Sequence, residues 1–214
     1  MPQRHTADVF LGILLLVPAV AGGATLEAGV KAGMNLANFR GEFADVAKTE
    51  TKLGFVGGPY VAYCFAPDLA IQVEALFSMK GAKTSTTGLD ADGNAFGPYD
   101  TFYRLSYLEV PVLLRGTLLR TAAVQPMYHL GPALGIRLGG NMDSDPPGPG
   151  EQGLRDLKAL DFGFAVGAGA RFGVGGQKVL AELRYTMGFG DIYRLSDNLE
   201  SINSVYSVTA GLAF

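Results

Sequence analysis

The feature that most constrains this chain is an alternation of side-chain character with a period of two residues, which returns along its length. In 161–172 the even positions Phe162, Phe164, Val166, Ala168, Ala170 and Phe172 are apolar. The odd positions Asp161, Gly163, Ala165, Gly167, Gly169 and Arg171 are small or charged. A helix would wind both sets around one cylinder, whereas a strand sends them to opposite faces. The same division separates Leu26, Ala28, Val30, Ala32, Met34 and Leu36 from Glu27, Lys31 and Asn35, and Ile71, Val73, Ala75, Phe77 and Met79 from Gln72, Glu74 and Ser78. In 102–116 it sets Leu108, Val110, Val112 and Leu114 against Glu109 and Arg115. In 128–138, Tyr128, Leu130, Pro132, Leu134, Ile136 and Leu138 alternate with residues that include His129 and Arg137. In 179–189, Val179, Ala181, Leu183, Tyr185, Met187 and Phe189 oppose Glu182, Arg184 and Thr186. Segment 53–65 alternates poorly, because both of its faces are apolar or small, and is assigned by position. A last run, Tyr206, Val208, Ala210, Leu212 and Phe214, closes on a phenylalanine.

These segments predict an all-β chain of eight strands, each 10–15 residues long. That is near or slightly above the roughly 9–11 residues a tilted strand needs to cross a bilayer. An even number of strands closes the sheet and leaves no edge. The connections alternate in length. Asn38–Thr51, Lys83–Thr101, Gly140–Lys158 and Asp191–Ile202 are long and polar; the turns at Ala66–Asp68, Leu119–Ala122 and Gly173–Gln177 are short. Outer-membrane barrels show this asymmetry, with short periplasmic turns and long outer loops. The expected fold is an eight-stranded antiparallel up-and-down transmembrane β-barrel with both termini periplasmic.

Periodicity alone does not say which face is outside. A lipocalin-like soluble barrel points its apolar set inward, and a membrane barrel points it outward. Three features favour the membrane. Gly29, Gly33, Gly163, Gly167, Gly169 and Gly211 share a face with the charges, and the narrow lumen of an eight-stranded barrel has room mainly for small or interlocked side chains. The N-terminus carries Arg4 and His5, an apolar run from Val9 to Val20, and small residues Ala21–Ala24. This is the layout of a cleaved signal peptide, with cleavage after Ala21 or Ala24. The third feature is the alternating C-terminal run ending at Phe214, the expected recognition signal for the outer-membrane assembly machinery. The expected organisation is therefore a signal peptide over 1–24 and a barrel domain over 25–214.

Other classes are excluded or left without support. Formal net charge is -3 and the sequence pI is about 5.4, which gives no basis for nucleic-acid binding. The single cysteine, Cys64, rules out a disulfide framework within the chain. It is expected to be buried or lipid-facing. No Gly-x-Ser-x-Gly occurs, and His129 is the one histidine beyond the predicted signal, so a hydrolytic triad has no support. Asp90-Ala-Asp-Gly-Asn94 begins like a calcium loop but has Ala95 and Thr101 where that loop needs glycine and a carboxylate. No catalytic residue, metal site or cofactor is expected. Several aromatic residues, including Tyr60, Tyr63, Tyr99, Phe102, Tyr103, Tyr107, Tyr185, Phe189 and Tyr193, lie towards segment ends as candidates for interfacial girdles. Tyr107 shares a face with Glu109 and is also a candidate to fill the lumen.

The charges on the inward face form the candidate site: Glu74, Glu109, Asp161 and Glu182 against Arg115, Arg137, Arg171 and Arg184, four acids and four bases. Glu27 and Lys31, taken to lie nearer one end, also cancel. Unpaired charge in a dry lumen is costly, so these groups are expected to pair and close the barrel to solutes. The alternative is that they line a hydrated slit.

Gly29-Val-Lys-Ala-Gly-Met-Asn-Leu36, Ile71–Gly81, Leu105-Ser-Tyr-Leu-Glu-Val-Pro-Val-Leu-Leu114 and the glycine-rich 161–172 segment resemble the PorT-like outer-membrane β-barrel family. The resemblance spans nearly all of the chain beyond the predicted signal. It implies an eight-stranded outer-membrane barrel, a secretion-associated role in some relatives, and no catalytic residues. The expected function is a small non-enzymatic outer-membrane protein with a structural or interaction role through its outer loops. A narrow channel and a secretion-associated barrel are the alternatives, with a lipid-modifying enzyme last. The expected partners are outer-membrane lipid, the barrel assembly machinery during insertion and other envelope proteins.

Overall fold

A computed structural model describes residues 24–40, 49–89, 95–119, 121–145, 158–189 and 202–214. Residues 1–23 of the predicted signal, the Asp90–Asn94 motif and parts of all four long connections lie outside them. The strands are β1 (Thr25–Arg40), β2 (Glu50–Ala66), β3 (Leu69–Glu74), β4 (Leu76–Leu89), β5 (Ala95–Thr117), β6 (Val124–Asp145), β7 (Leu160–Val174), β8 (Gln177–Gly188) and β9 (Ile202–Ala213). β3 and β4 are one strand interrupted at Ala75, whose N–H donates to the Pro59 carbonyl at 3.0 Å. Both halves pair with β2 on one side and β5 on the other. Counted that way there are eight antiparallel strands, each paired to its sequence neighbour. β1 then pairs with β9, from Gly29↔Ala213 to Arg40↔Ile202, and closes the ring.

The alternation holds strand by strand, including β2, where Val56, Tyr60 and Ala62 face in and Leu53, Phe55, Val61 and Phe65 face out. The apolar set points outward on every strand. Leu26, Phe162 and Leu183 are each more than half exposed, while Glu74, Lys31 and His129 are buried inside. A continuous apolar belt around the whole barrel far exceeds the few hundred Å² that soluble monomers tolerate. It requires a hydrocarbon surrounding, so the lipocalin-like arrangement is excluded by the direction of the side chains. Phe214 belongs to this outer face, and its N–H donates to the Ala28 carbonyl at 2.8 Å.

The strands are longer than expected, reaching 23 residues in β5. Much of the predicted Lys83–Thr101 loop is instead a hairpin continuing β4 and β5 to the pair Leu89↔Ala95. Likewise β6 runs on to Asp145, opposite Asp100. The loop prediction failed because apolar residues do not alternate regularly there, and Thr suits a solvated strand as well as a polar loop. At the other end the turns are tight. Val174 pairs with Gln177 across Gly175 and Gly176, both with positive φ (59° and 86°), the backbone of a type I′ hairpin. Gly176→Val puts a β-branched side chain at positive φ and is expected to cost about 1–2 kcal/mol. Urea unfolding of the refolded barrel would measure it.

Candidate functional site

The lumen is filled by side chains from all eight strands, and its polar groups form three levels. At the middle, Glu74 on β3 receives a two-armed contact from Arg184 on β8, Nη1 and Nη2 each at 2.7 Å. Lys31 on β1 bridges Glu74 at 2.9 Å and Glu182 at 2.5 Å. Arg184 also lies 3.7 Å from Glu182 and donates through Nε to His129 Nε2 at 3.2 Å. That acceptor role fixes His129 as a neutral imidazole in this arrangement. The sequence placed His129 inward among charges; the pairing with Arg184 gives it a structural, hydrogen-bonded place.

Gln72 links this level to the one nearer the short turns. It donates to Glu74 at 2.5 Å and accepts from Arg115 at 2.8 Å. There Glu27 is shared by Arg115 at 2.8 Å, Arg171 at 3.2 Å and Lys178 at 3.7 Å. Towards the outer end, Lys80 holds Glu109 at 2.5 Å and Asp161 at 3.5 Å, and Asn203 donates to Asp161 at 2.8 Å. Glycines make these approaches possible. Gly167 faces His129 on β6 and Arg184 on β8, and a side chain there would occupy the space of the imidazole. Gly29 likewise lies against the Tyr60 ring.

Seven of the eight residues proposed for the lumen therefore meet in this network: Glu74, Glu109, Arg115, Asp161, Arg171, Glu182 and Arg184. The eighth is Arg137. On β6 it lies two residues beyond Gly135, the position level with both Glu109 and Asp161. Its Nε donates to the Lys158 carbonyl at 3.2 Å, at the exposed outer rim. Lys31 is the reverse case, set near one end by the sequence and found at the centre. Lys80 was not in the set at all. With Glu27, Lys31, Lys80 and Lys178 included, these contacts join five carboxylates to six cations.

Tyr60 and Tyr107 are fully buried lumen residues and do not contribute to an interfacial girdle. They lie 5.2 Å from Lys31 Nζ and 4.9 Å from Lys80 Nζ, ring centroid to nitrogen, close enough for cation–π attraction. Tyr206, partnered by Tyr185 at 4.7 Å between ring centroids, is exposed on the outer face. Cys64 faces the lumen mouth beside Arg115 instead of lipid, and it is partly exposed. Among the described residues no cluster of His, Cys, Asp and Glu has a metal-binding arrangement.

The model of a family described as the outer membrane protein beta-barrel domain matches residues 18–194. Neisserial surface protein A is similar in structure at 13% identity and a TM-score of 0.50, covering 90% of this chain and 100% of that one. A major outer membrane protein from Thermus thermophilus follows at 12% identity and 0.49, covering 89% and 100%. OprG from Pseudomonas aeruginosa is similar at 14% identity and 0.44, covering 90% and 98%. No curated protein matches the sequence.

Proposed function

Since the chain belongs to the outer membrane protein beta-barrel domain family, we propose that it is a non-enzymatic outer-membrane protein whose lumen is closed by ion pairs and whose outer strands and loops meet the surroundings. The observation that carries this reading is the middle level. Lys31, Glu74, Glu182 and Arg184 come from β1, β3 and β8, each is at least nine-tenths buried, and ion pairs join them to one another inside the ring. A continuous aqueous path would have to break contacts in which each charge is held by two or more partners. β4, β5 and β6 run further from the short-turn end than the roughly 25 Å apolar band requires, which gives the protein an outward platform.

The short turns and both ends of the ring lie on one side, which we assign to the periplasm. The C-terminal run Tyr206, Val208, Ala210, Leu212 and Phe214 lies on the lipid face and serves as the assembly signal. The narrower PorT-like assignment rests on Tyr107-Leu-Glu-Val-Pro111, a stretch that sends Tyr107 and Glu109 to Lys80.

Planar-bilayer recording tests closure. The native barrel is expected to show no discrete conductance, while Lys31→Ala, Glu74→Ala and Arg184→Ala combined should give steps wherever the barrel still folds. Steps of equal size in the native protein would establish the narrow channel instead.

A further inference from the structure

We propose that the short-turn mouth of the lumen binds a small oxyanion, a carboxylate or phosphate group, through Arg115, Arg171 and Lys178. This goes beyond a closed barrel but rests on that reading in one respect, since the closed middle level makes the mouth a blind vestibule. Its volume is about 900 Å³, within the range of small-molecule sites. Glu27, Asp68, Cys64 and the three cations line it.

The charge pattern is unbalanced. Three cations converge on one carboxylate, Glu27, and Asp68 is the one other acidic side chain in the lining. Arg115 is almost wholly buried. Its Nε, and that of Arg171, have no hydrogen-bond partner. A guanidinium offers five donors in a planar fork suited to oxyanions, so two of them around one carboxylate leave donors over. At the middle level, by contrast, Glu74 and Glu182 balance Lys31 and Arg184. A concave, low-dielectric wall carrying excess positive charge concentrates anions. A small oxyanion entering this mouth would meet Lys178 Nζ and the Nη groups of the two arginines, whose Nε atoms are buried away from it.

Cys64 supplies a native reporter, because it lines the same vestibule, lies 4.0 Å from Arg115 Nη2, and is the single cysteine of the chain. The experiment compares its labelling by an anionic methanethiosulfonate (ethylsulfonate) and a cationic one (ethyltrimethylammonium) in neutral-detergent micelles. The same ratio in the urea-unfolded chain is the reference. The folded protein is expected to prefer the anionic reagent about tenfold more than the unfolded chain at low ionic strength. The preference should shrink in 1 M salt, where the screening length falls to about 3 Å. Millimolar inorganic phosphate or acetate should slow labelling, and the better protectant identifies the group preferred. Arg171→Gln should reduce the anion preference. Lys178→Gln, at the exposed rim, should do so without threatening the fold. An unchanged reagent ratio, labelling that neither anion slows, or a Cys64 inert to both reagents would overturn the proposal. Conductance of the native barrel tests closure separately, so an open pore with an anion-selective mouth and a closed barrel with a neutral one are distinguishable.

Discussion

Glu74→Ala is expected to destabilise the barrel by about 3–5 kcal/mol, the range for removing one partner from a buried ion pair. Glu74 holds Arg184 through two contacts and Lys31 through a third, and it also accepts from Gln72. Its loss leaves two cations in a dry lumen with Glu182 as the remaining carboxylate at that level, at 2.5 Å from Lys31 and 3.7 Å from Arg184. The cost arises from those uncompensated charges more than from the contact removed, so Glu74→Gln should be milder: it keeps the shape and a hydrogen-bonding head. Urea unfolding in lipid vesicles, followed by the heat-sensitive gel shift of the folded barrel, measures all three proteins. Glu50→Ala, whose partner Lys83 lies 3.8 Å away at the exposed outer rim, is the control and should move stability by less than about 0.5 kcal/mol. Equal effects of the two alanine variants would mean that the network does not hold the barrel together.

Leu183→Arg acts on the opposite face of the same strand and should destabilise the membrane-inserted barrel by about 2–4 kcal/mol. Leu183 is 62% exposed, between the lumen residues Glu182 and Arg184 and close to the middle of β8. A guanidinium there must sit in hydrocarbon or drag water inward. For a protein surrounded by water the same change at so exposed a position would be nearly neutral. Unfolding in vesicles should therefore reveal a loss, and Leu26→Arg, near the short-turn end of β1, a smaller one. Equal, negligible effects at both positions would place the apolar belt outside the bilayer.

Much of the fold was legible because period two is a direct imprint of the pleat. The sets written for 26–36, 70–79 and 161–172 separate in the structure into lipid-facing and lumen-facing residues. The candidate site was legible in membership and less so in height. Lys31 lies six residues into β1, Glu74 five into β3 and Glu182 five into β8, all counted from the short-turn end. At about 3.3 Å per residue, this places them at similar depth, and that count could have put Lys31 in the middle. No such count places Arg137, because the stagger of β6 against β5 and β7 decides its level.

By itself the sequence determined where the bilayer-crossing strands lie and which of their residues share a face, because the direction of a side chain from a strand is set locally by backbone geometry. It also determined the short connections, where Pro67-Asp68 and Gly175-Gly176 leave little choice. Which face is outside, that Lys31 and Lys80 take part in the lumen ion pairs, that the outer loops begin as strands, and that Cys64 opens into a vestibule were decided by the tertiary structure. Those are relations between strands far apart in the chain. They follow from ring closure and strand stagger, which depend on all eight strands at once.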